Sequence, residues 1–281
     1  MTVHTPSLLE KAALVLGAFQ GATPRLTLTE VVRRSGLSRS SVHRILDQLV
    51  RLGWLDRDGR DYRLGMRLLE LGAMAAHHNR LRRAALPHLH ALHERTGHVV
   101  HLAVLDGPEV VYLERLGGTA DASVPSRIGG RQPAYCTGTG KAILAFSEET
   151  LVAEVLRAGL RPRTPYTLVR PRSFRAELAR VRERGVAFDR EEAFRGVACV
   201  AAPLRGAGRA VAAVSVCGNG IHRELERLAP AVRGTARAVW AELYGPGRAA
   251  PRRTAECAAA PALEPAQLDT MMSWLRFAEW M

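Results

Sequence analysis

The chain has 281 residues, 47% of them hydrophobic, and a net charge of +13. That length suits two domains with their own cores, and the absence of any run of 18 apolar residues argues against a membrane-spanning helix. The positive charge favours a polyanionic partner, but residues 1–75 carry 11 basic and 7 acidic side chains and residues 76–250 carry 26 and 16, so charge by itself does not separate DNA from RNA, a membrane surface or simple solubility.

Taken in chain order, Leu8 to Gln20 places Leu9, Ala12, Leu16 and Phe19 at helical spacing. Leu26-Thr27 suits a short strand or a cap. Thr29 opens a second helix that Gly36 ends, and Ser38 caps a third that runs to Gly53. Asp58-Gly59 between apolar-flanked segments signals a hairpin. From Met66 a long helical pattern follows, with Pro87 expected to interrupt it or to start its second part. Two strand-like runs then flank the turn at Asp106-Gly107-Pro108. TGTGKAILAF reads as a glycine-rich turn opening a helix, followed by two more helices, the strands GVAFD, VACVAAPLRG and RAVAAVSVCG, and a closing helix from Ile221 to Tyr244. After Gly245 the composition turns Ala/Pro-rich, as in a linker, and the last residues form an amphipathic pattern around Trp274 and Trp280. Removing 249–281 is expected to leave folding and DNA binding nearly intact.

The first third contains the parts of a winged helix-turn-helix in order. Gly36 permits the turn, Leu37 plugs the angle, and Val42, Ile45, Leu46 and Leu49 face inward. Relative to Val42, Arg44 and Ser40 lie opposite, flanked by Arg39, Ser41 and His43 near the helix N-terminus. Arginine reads guanine in the major groove and shorter polar groups assist. The hairpin with Arg57, Arg60 and Arg63 is the wing candidate, its arginines, Arg57 and Arg60 above all, expected to meet phosphates or the minor groove. The partner is therefore double-stranded DNA.

SLLEKAALVLGAF and SGLSRSSVHRILDQLVRLGWLDRDGRDYRLGMRLLELG resemble the winged helix-turn-helix of the IclR family of bacterial regulators. TGTGKAILAF, RERGVAFDREEAFRGVACVAAPL and VAAVSVCG resemble that family's effector-binding domain, in the same order. The resemblance spans residues 7–245 and implies an α+β protein. Its parts would be a DNA-binding domain over 1–65, a linker helix over 66–79 that pairs subunits, an α/β (GAF-like) effector-binding domain over 80–245, and a tail over 246–281. It also implies a homodimer or homotetramer, a partly palindromic operator, and an effector pocket at Gly138, Thr139, Asp189, Val197, Cys199, Ser215 and Cys217. The family often has serine where Cys217 stands. Leu68, Leu69, Leu71 and Met74 would supply the pairing surface of the linker helix. With Gly138 and Thr139 opening a helix and Asp189 as an acceptor, the expected effector is a small organic acid, either aromatic or a short hydroxy or keto acid.

Other chemistries fit less well. TGTGK lacks the spacing and the Ser/Thr of a phosphate-binding loop. Cys136, Cys199, Cys217 and Cys257 contain no C-x-x-C pair of a zinc or redox site. Seven of the ten histidines fall between His77 and His101 without supporting ligands, and are expected to be solvated helix residues, so no metal and no cofactor are expected. The rival reading is a Cys-dependent enzyme using Cys199 or Cys136, but no local motif places the histidine base that it needs. The N-terminus lacks the features of a signal peptide, and the expected location is the cytoplasm.

Overall fold

The computed structural model describes residues 6–20, 23–117 and 124–245. The Ala/Pro-rich tail and its terminal amphipathic pattern lie outside these residues, as does Cys257. Local capping chemistry explains the first elements. Helix α1 (Leu8–Gly17) begins at Ser7 and α2 (Leu28–Ser35) at Thr27, each in a capping box closed by Glu10 or Glu30. Strand β1 (Leu26–Thr27) thus carries both roles read in those two residues, strand and cap. Gly36, at φ 69°, ends α2, and the Ser38 hydroxyl accepts from Ser41 N at 3.4 Å to start α3 (Arg39–Arg51). Strands β2 (Leu55–Asp58) and β3 (Asp61–Leu64) form the wing, turning at Gly59 with φ 59°. β1 pairs with β3, giving the order β1-β3-β2. Val15, Leu26, Val31, Val42, Leu46 and Leu55 form this core, each at most 1% exposed.

Helix α4 (Met66–His78) buries no residue. Leu69, Leu71 and Met74 are exposed and Leu68 is half-buried. The expected break at Pro87 falls instead at Asn79, whose backbone is extended and whose Oδ1 accepts from Arg82 N at 2.9 Å to cap α5 (Arg80–Thr96). Pro87 sits inside α5 without ending it. Its ring removes one helical hydrogen bond, a loss that burial of Ala85, Leu89 and Leu92 against the sheet offsets.

The second half is built on β4 (Val99–Asp106), β5 (Glu109–Leu116), β6 (Arg131–Pro133), β7 (Ala187–Arg190), β8 (Val197–Leu204) and β9 (Ala212–Asn219). They form an antiparallel sheet in the order β6-β5-β4-β9-β8-β7. One face, including Val100, Leu102, Val200, Val214 and Val216, packs on α5 and α9 (Leu225–Tyr244). The other face carries small residues, Ala103, Ala187, Ala201 and Ala213. Against it lie α6 (Gly138–Leu144), α7 (Glu149–Ala158) and α8 (Pro171–Arg184). The small side chains let α6 approach the sheet so closely that all seven of its residues are buried.

The histidine expectation needs two corrections, since His98 lies half-buried in the loop between α5 and β4 and His101 lies in the sheet. His77, His78 and His90 are exposed on helices, but His101 stands on β4 and is 1% exposed. The local pattern HVVHLAV is that of a strand, and a strand residue facing the core is buried whatever its type. Among the described residues there is no group of three or more His, Cys, Asp or Glu able to hold a metal ion, and no helix is long and apolar enough to cross a membrane.

Candidate DNA interface and effector face

The exposed side of α3 and the wing enclose one groove of about 1120 Å³, lined by Thr27, Thr29, Arg39, Ser40, His43, Arg57, Arg60 and Tyr62. Five of the seven residues named from the helix and wing pattern thus meet in a single concavity. Arg57 is held over the Tyr62 ring and donates to Gly59 O at 3.1 Å, so its guanidinium is aimed by the hairpin. Arg39 donates to Thr29 Oγ1 at 3.3 Å, and His43 pairs with Asp47 at 3.2 Å. Arg44 lies on the adjoining surface beside Asp47 and Arg51. Ser41 is half-buried and its hydroxyl accepts from Ser38 Oγ at 2.9 Å, which ties it to the helix cap. Thr29 was not foreseen. It stands at the start of α2, and only the packing of α2 against α3 brings it to the groove.

In the larger domain the strand register assembles residues far apart in sequence. One row across four strands reads Asp189, Cys199, Cys217, Val99, and the next reads Ala187, Ala201, Ser215, His101. Side chains two apart on a strand share a face, so Asp189, Val197, Cys199, Ser215, Cys217 and His101 all point to the α6 side. Gly138 lies directly above Cys199, since a Cβ on it would stand 3.1 Å from Cys199 Sγ. The bare backbone at Gly138 is therefore already occupied by that sulfur. The α6 cap is Thr137, whose hydroxyl accepts from Gly140 N at 3.2 Å. Thr139 Oγ1 is buried and has no hydrogen-bond partner. His101 Nδ1 is 3.5 Å from both Ser215 Oγ and Cys217 Sγ, its Nε2 is 2.7 Å from Ser126 Oγ, and its ring stacks at 4.7 Å on Tyr112.

Comparison with known proteins gives a family for these two constellations. The profile described as "Bacterial transcriptional regulator IclR C-terminal" matches residues 73–241, and the "IclR helix-turn-helix domain" matches residues 8–59. The chain belongs to the IclR family. It is 36% identical over 212 residues to the HTH-type transcriptional regulator XynR of Escherichia coli, covering 74% of this chain and 84% of that protein. It is 33% identical over 245 residues to the Pca regulon regulatory protein of Pseudomonas putida, covering 84% of each. An IclR homologue from Microbacterium hydrocarbonoxydans, solved in complex with 4-hydroxybenzoate, superposes with a TM-score of 0.74 at 32% identity, covering 84% of this chain and 99% of that one. The IclR regulator from Alicyclobacillus acidocaldarius gives 0.75 at 27%, covering 85% and 99%. The protein is thus an IclR-family DNA-binding transcriptional regulator.

The electrostatics of this regulator's sheet face are unusual for a core. Burial pushes the Asp189 carboxyl up to about 8, outweighing the nearby Lys141 cation and the hydrogen bond from Glu192 N to its Oδ1 at 2.7 Å. The loop that makes this bond turns through Glu191, a non-glycine residue at φ 64°. Burial raises Tyr112, and it raises Cys136 to about 12. At Cys217 burial is outweighed by hydrogen bonds from Cys199 and by His101, which favour the thiolate there, while Cys199, buried beside it, is raised. His101, Tyr112 and Ser126 escaped notice in the sequence because their only signal is register with β9 and contact across the fold.

Asp189 has a pH consequence. Its folded pKa lies above its unfolded value of 3.8, so its contribution to stability is fully present below about pH 4 and is lost as pH rises toward 8. Asp189→Asn, which mimics the protonated acid, should flatten the fall in stability between pH 5 and 8. Urea titrations at several pH values will read this. A slope unchanged from the parent would mean that Asp189 is ionised in the folded protein.

Proposed function

We propose that operator binding by this regulator is controlled by a small organic acid held on the sheet face at Gly138, Thr139, Asp189, Val197, Cys199, Ser215 and Cys217. The observation that carries the reading is the unpartnered Thr139 hydroxyl, buried in α6, the helix that covers the sheet face bearing Asp189, Ser215 and His101. A core without a ligand function has no reason to collect so many polar groups. A protonated Asp189 donates a hydrogen bond to a carboxylate, which its ionised form would repel. Val197, Cys199 and Val99 form the apolar wall and limit ligand size. The complex of a similar IclR homologue with 4-hydroxybenzoate, an aromatic hydroxy acid, supports this ligand class. Calorimetry against a panel of aromatic and short hydroxy or keto acids tests it, with Asp189→Ala and Ser215→Ala as controls. An acid that releases operator DNA and binds both variants as well as the parent would place the site elsewhere.

On the DNA side, Arg39, Ser40, Ser41, His43 and Arg44 form the reading surface and Arg57 and Arg60 the phosphate contacts. The exposed apolar side of α4 supports assembly as a homodimer or homotetramer, and the family supports a cytoplasmic protein. Arg44→Ala should weaken operator binding by about 1–3 kcal/mol while leaving scrambled DNA little affected. Arg60→Ala should weaken both alike, because phosphates carry no sequence information. Fluorescence titrations on the two duplexes decide, and unchanged operator affinity in a folded Arg44→Ala protein would remove Arg44 from the reading surface.

A further inference from the structure

We propose that Cys217 and Cys199 form a reversible disulfide when a hydroperoxide enters the sheet face, so that the sensor domain responds to oxidant as well as to ligand. The bond stands independently of the effector reading, and only its regulatory consequence rests on that reading. The two cysteines are direct register partners on neighbouring antiparallel strands. Such partners hold their Cβ atoms about 4.5–5.5 Å apart, and a disulfide needs about 3.5–4.5 Å, so a small closing movement joins them. A bond across adjacent strands carries strain, which makes it readily reducible and suited to a reversible signal.

The two thiols are not equivalent. His101 Nδ1 stands 3.5 Å from Cys217 Sγ, and its Nε2 is 2.7 Å from Ser126 Oγ, a hydroxyl that also accepts from Arg115 Nε at 3.2 Å. With Nε2–H donated to Ser126, Nδ1 takes the Cys217 proton and leaves a thiolate beside an imidazolium. Cys136 is the internal comparison. Equally buried, its Sγ is hydrogen-bonded to Pro133 O at 3.6 Å. The Cys217 thiolate attacks one peroxide oxygen, the O–O bond breaks, and the departing oxygen takes the imidazolium proton. Cys217 is then a sulfenic acid. The Cys199 sulfur attacks it, the S–S bond forms, the S–O bond breaks, and the hydroxide leaves as water with the Cys199 proton. Two thiols lose two electrons and the hydroperoxide gains them. The new bond draws Cys199 Sγ from beneath Gly138 and Cys217 from His101, and so reshapes the face that the acid would contact.

The test uses the full chain with Cys257→Ser, treated with a small excess of hydrogen peroxide, alkylated, digested and mapped by mass spectrometry. The expected result is one linked pair, Cys199 with Cys217, reversed by dithiothreitol and unaffected by Cys136→Ala. Cys217→Ser should abolish the fast reaction, and Cys199→Ser should leave a sulfenic acid that dimedone traps. His101→Gln should slow oxidation about tenfold or more and shift its pH profile toward that of an ordinary thiol. The proposal is overturned if both peptides stay alkylated, if the link involves Cys136, or if linkage appears only in urea. A linked pair in a protein that binds none of the acids screened upholds the bond and defeats the effector reading, whereas an unlinked pair in a protein that binds an acid does the reverse.

Discussion

Replacing Lys141 with methionine is expected to destabilise the regulator by about 3–5 kcal/mol. Lys141 is fully buried in α6, where its Nζ donates to Phe188 O at 2.6 Å and forms an ion pair with Glu192. Glu192 is itself 7% exposed and its second oxygen has no hydrogen-bond partner. Removing the cation leaves a buried carboxylate without its counter-ion, and burial already raises the Glu192 carboxyl above its ordinary value. The variant should therefore lose stability further as pH rises, because the folded state then holds Glu192 protonated while the unfolded state does not. Converting both partners, Lys141→Met with Glu192→Met, should recover much of the loss, since replacing a buried pair with apolar side chains costs far less than breaking it. Urea unfolding of the single and double variants measures this. A single variant as stable as the parent would show that the ion pair does not hold α6 in place.

The second large effect is expected at Gly140. A Cβ there would lie 2.1 Å from Ala134 O and 2.5 Å from Ala134 Cα. These are backbone atoms of the helical turn at Ala134–Cys136, which is itself buried, so no side-chain adjustment relieves the clash. Gly140→Ala should cost about 4 kcal/mol or more, at the extreme of single substitutions. Gly234→Ala in α9 is the control. It sits in a helix interior with nothing within 4 Å, and should be neutral or stabilising by about 0.5–1 kcal/mol. Equal behaviour of the two variants in urea would mean that α6 does not seat on the turn as described. The glycine in TGTGK thus serves close packing, which accounts for a phosphate-loop likeness without phosphate-loop spacing.

Much of the DNA-binding half was legible from residues alone because its determinants are local. Ser7, Thr27 and Ser38 start helices within three residues of the groups they cap, Gly36 and Gly59 act through their own backbone angles, and Arg44 is exposed because Val42 is not. Where a local rule had a local rival, it erred. Pro87 was expected to interrupt the long helix or start its second part, yet Asn79 does so, because proline's cost is small beside the burial of α5 and Asn79 offers a cap where the chain leaves the exposed α4.

The sensor half divides differently. Most of its strands and helices follow from period and turn residues, although β6 was not read, and its candidate site residues came from resemblance to a family, since nothing local relates Asp189 to Ser215 or Gly138 to Cys199. The tertiary structure decided which residues meet. His101 became a neighbour of Cys217 across 116 positions, Lys141 of Glu192 across 51, and two cysteines without C-x-x-C spacing became partners because antiparallel register, rather than sequence distance, sets what lies opposite on a sheet. Sequence by itself determined most of the elements and which side of α3 is exposed, where cause and effect lie within a helical turn. The candidate effector face, its buried titratable groups and its facing cysteines depend on strands that close long loops, and these residues meet only once those strands are in register.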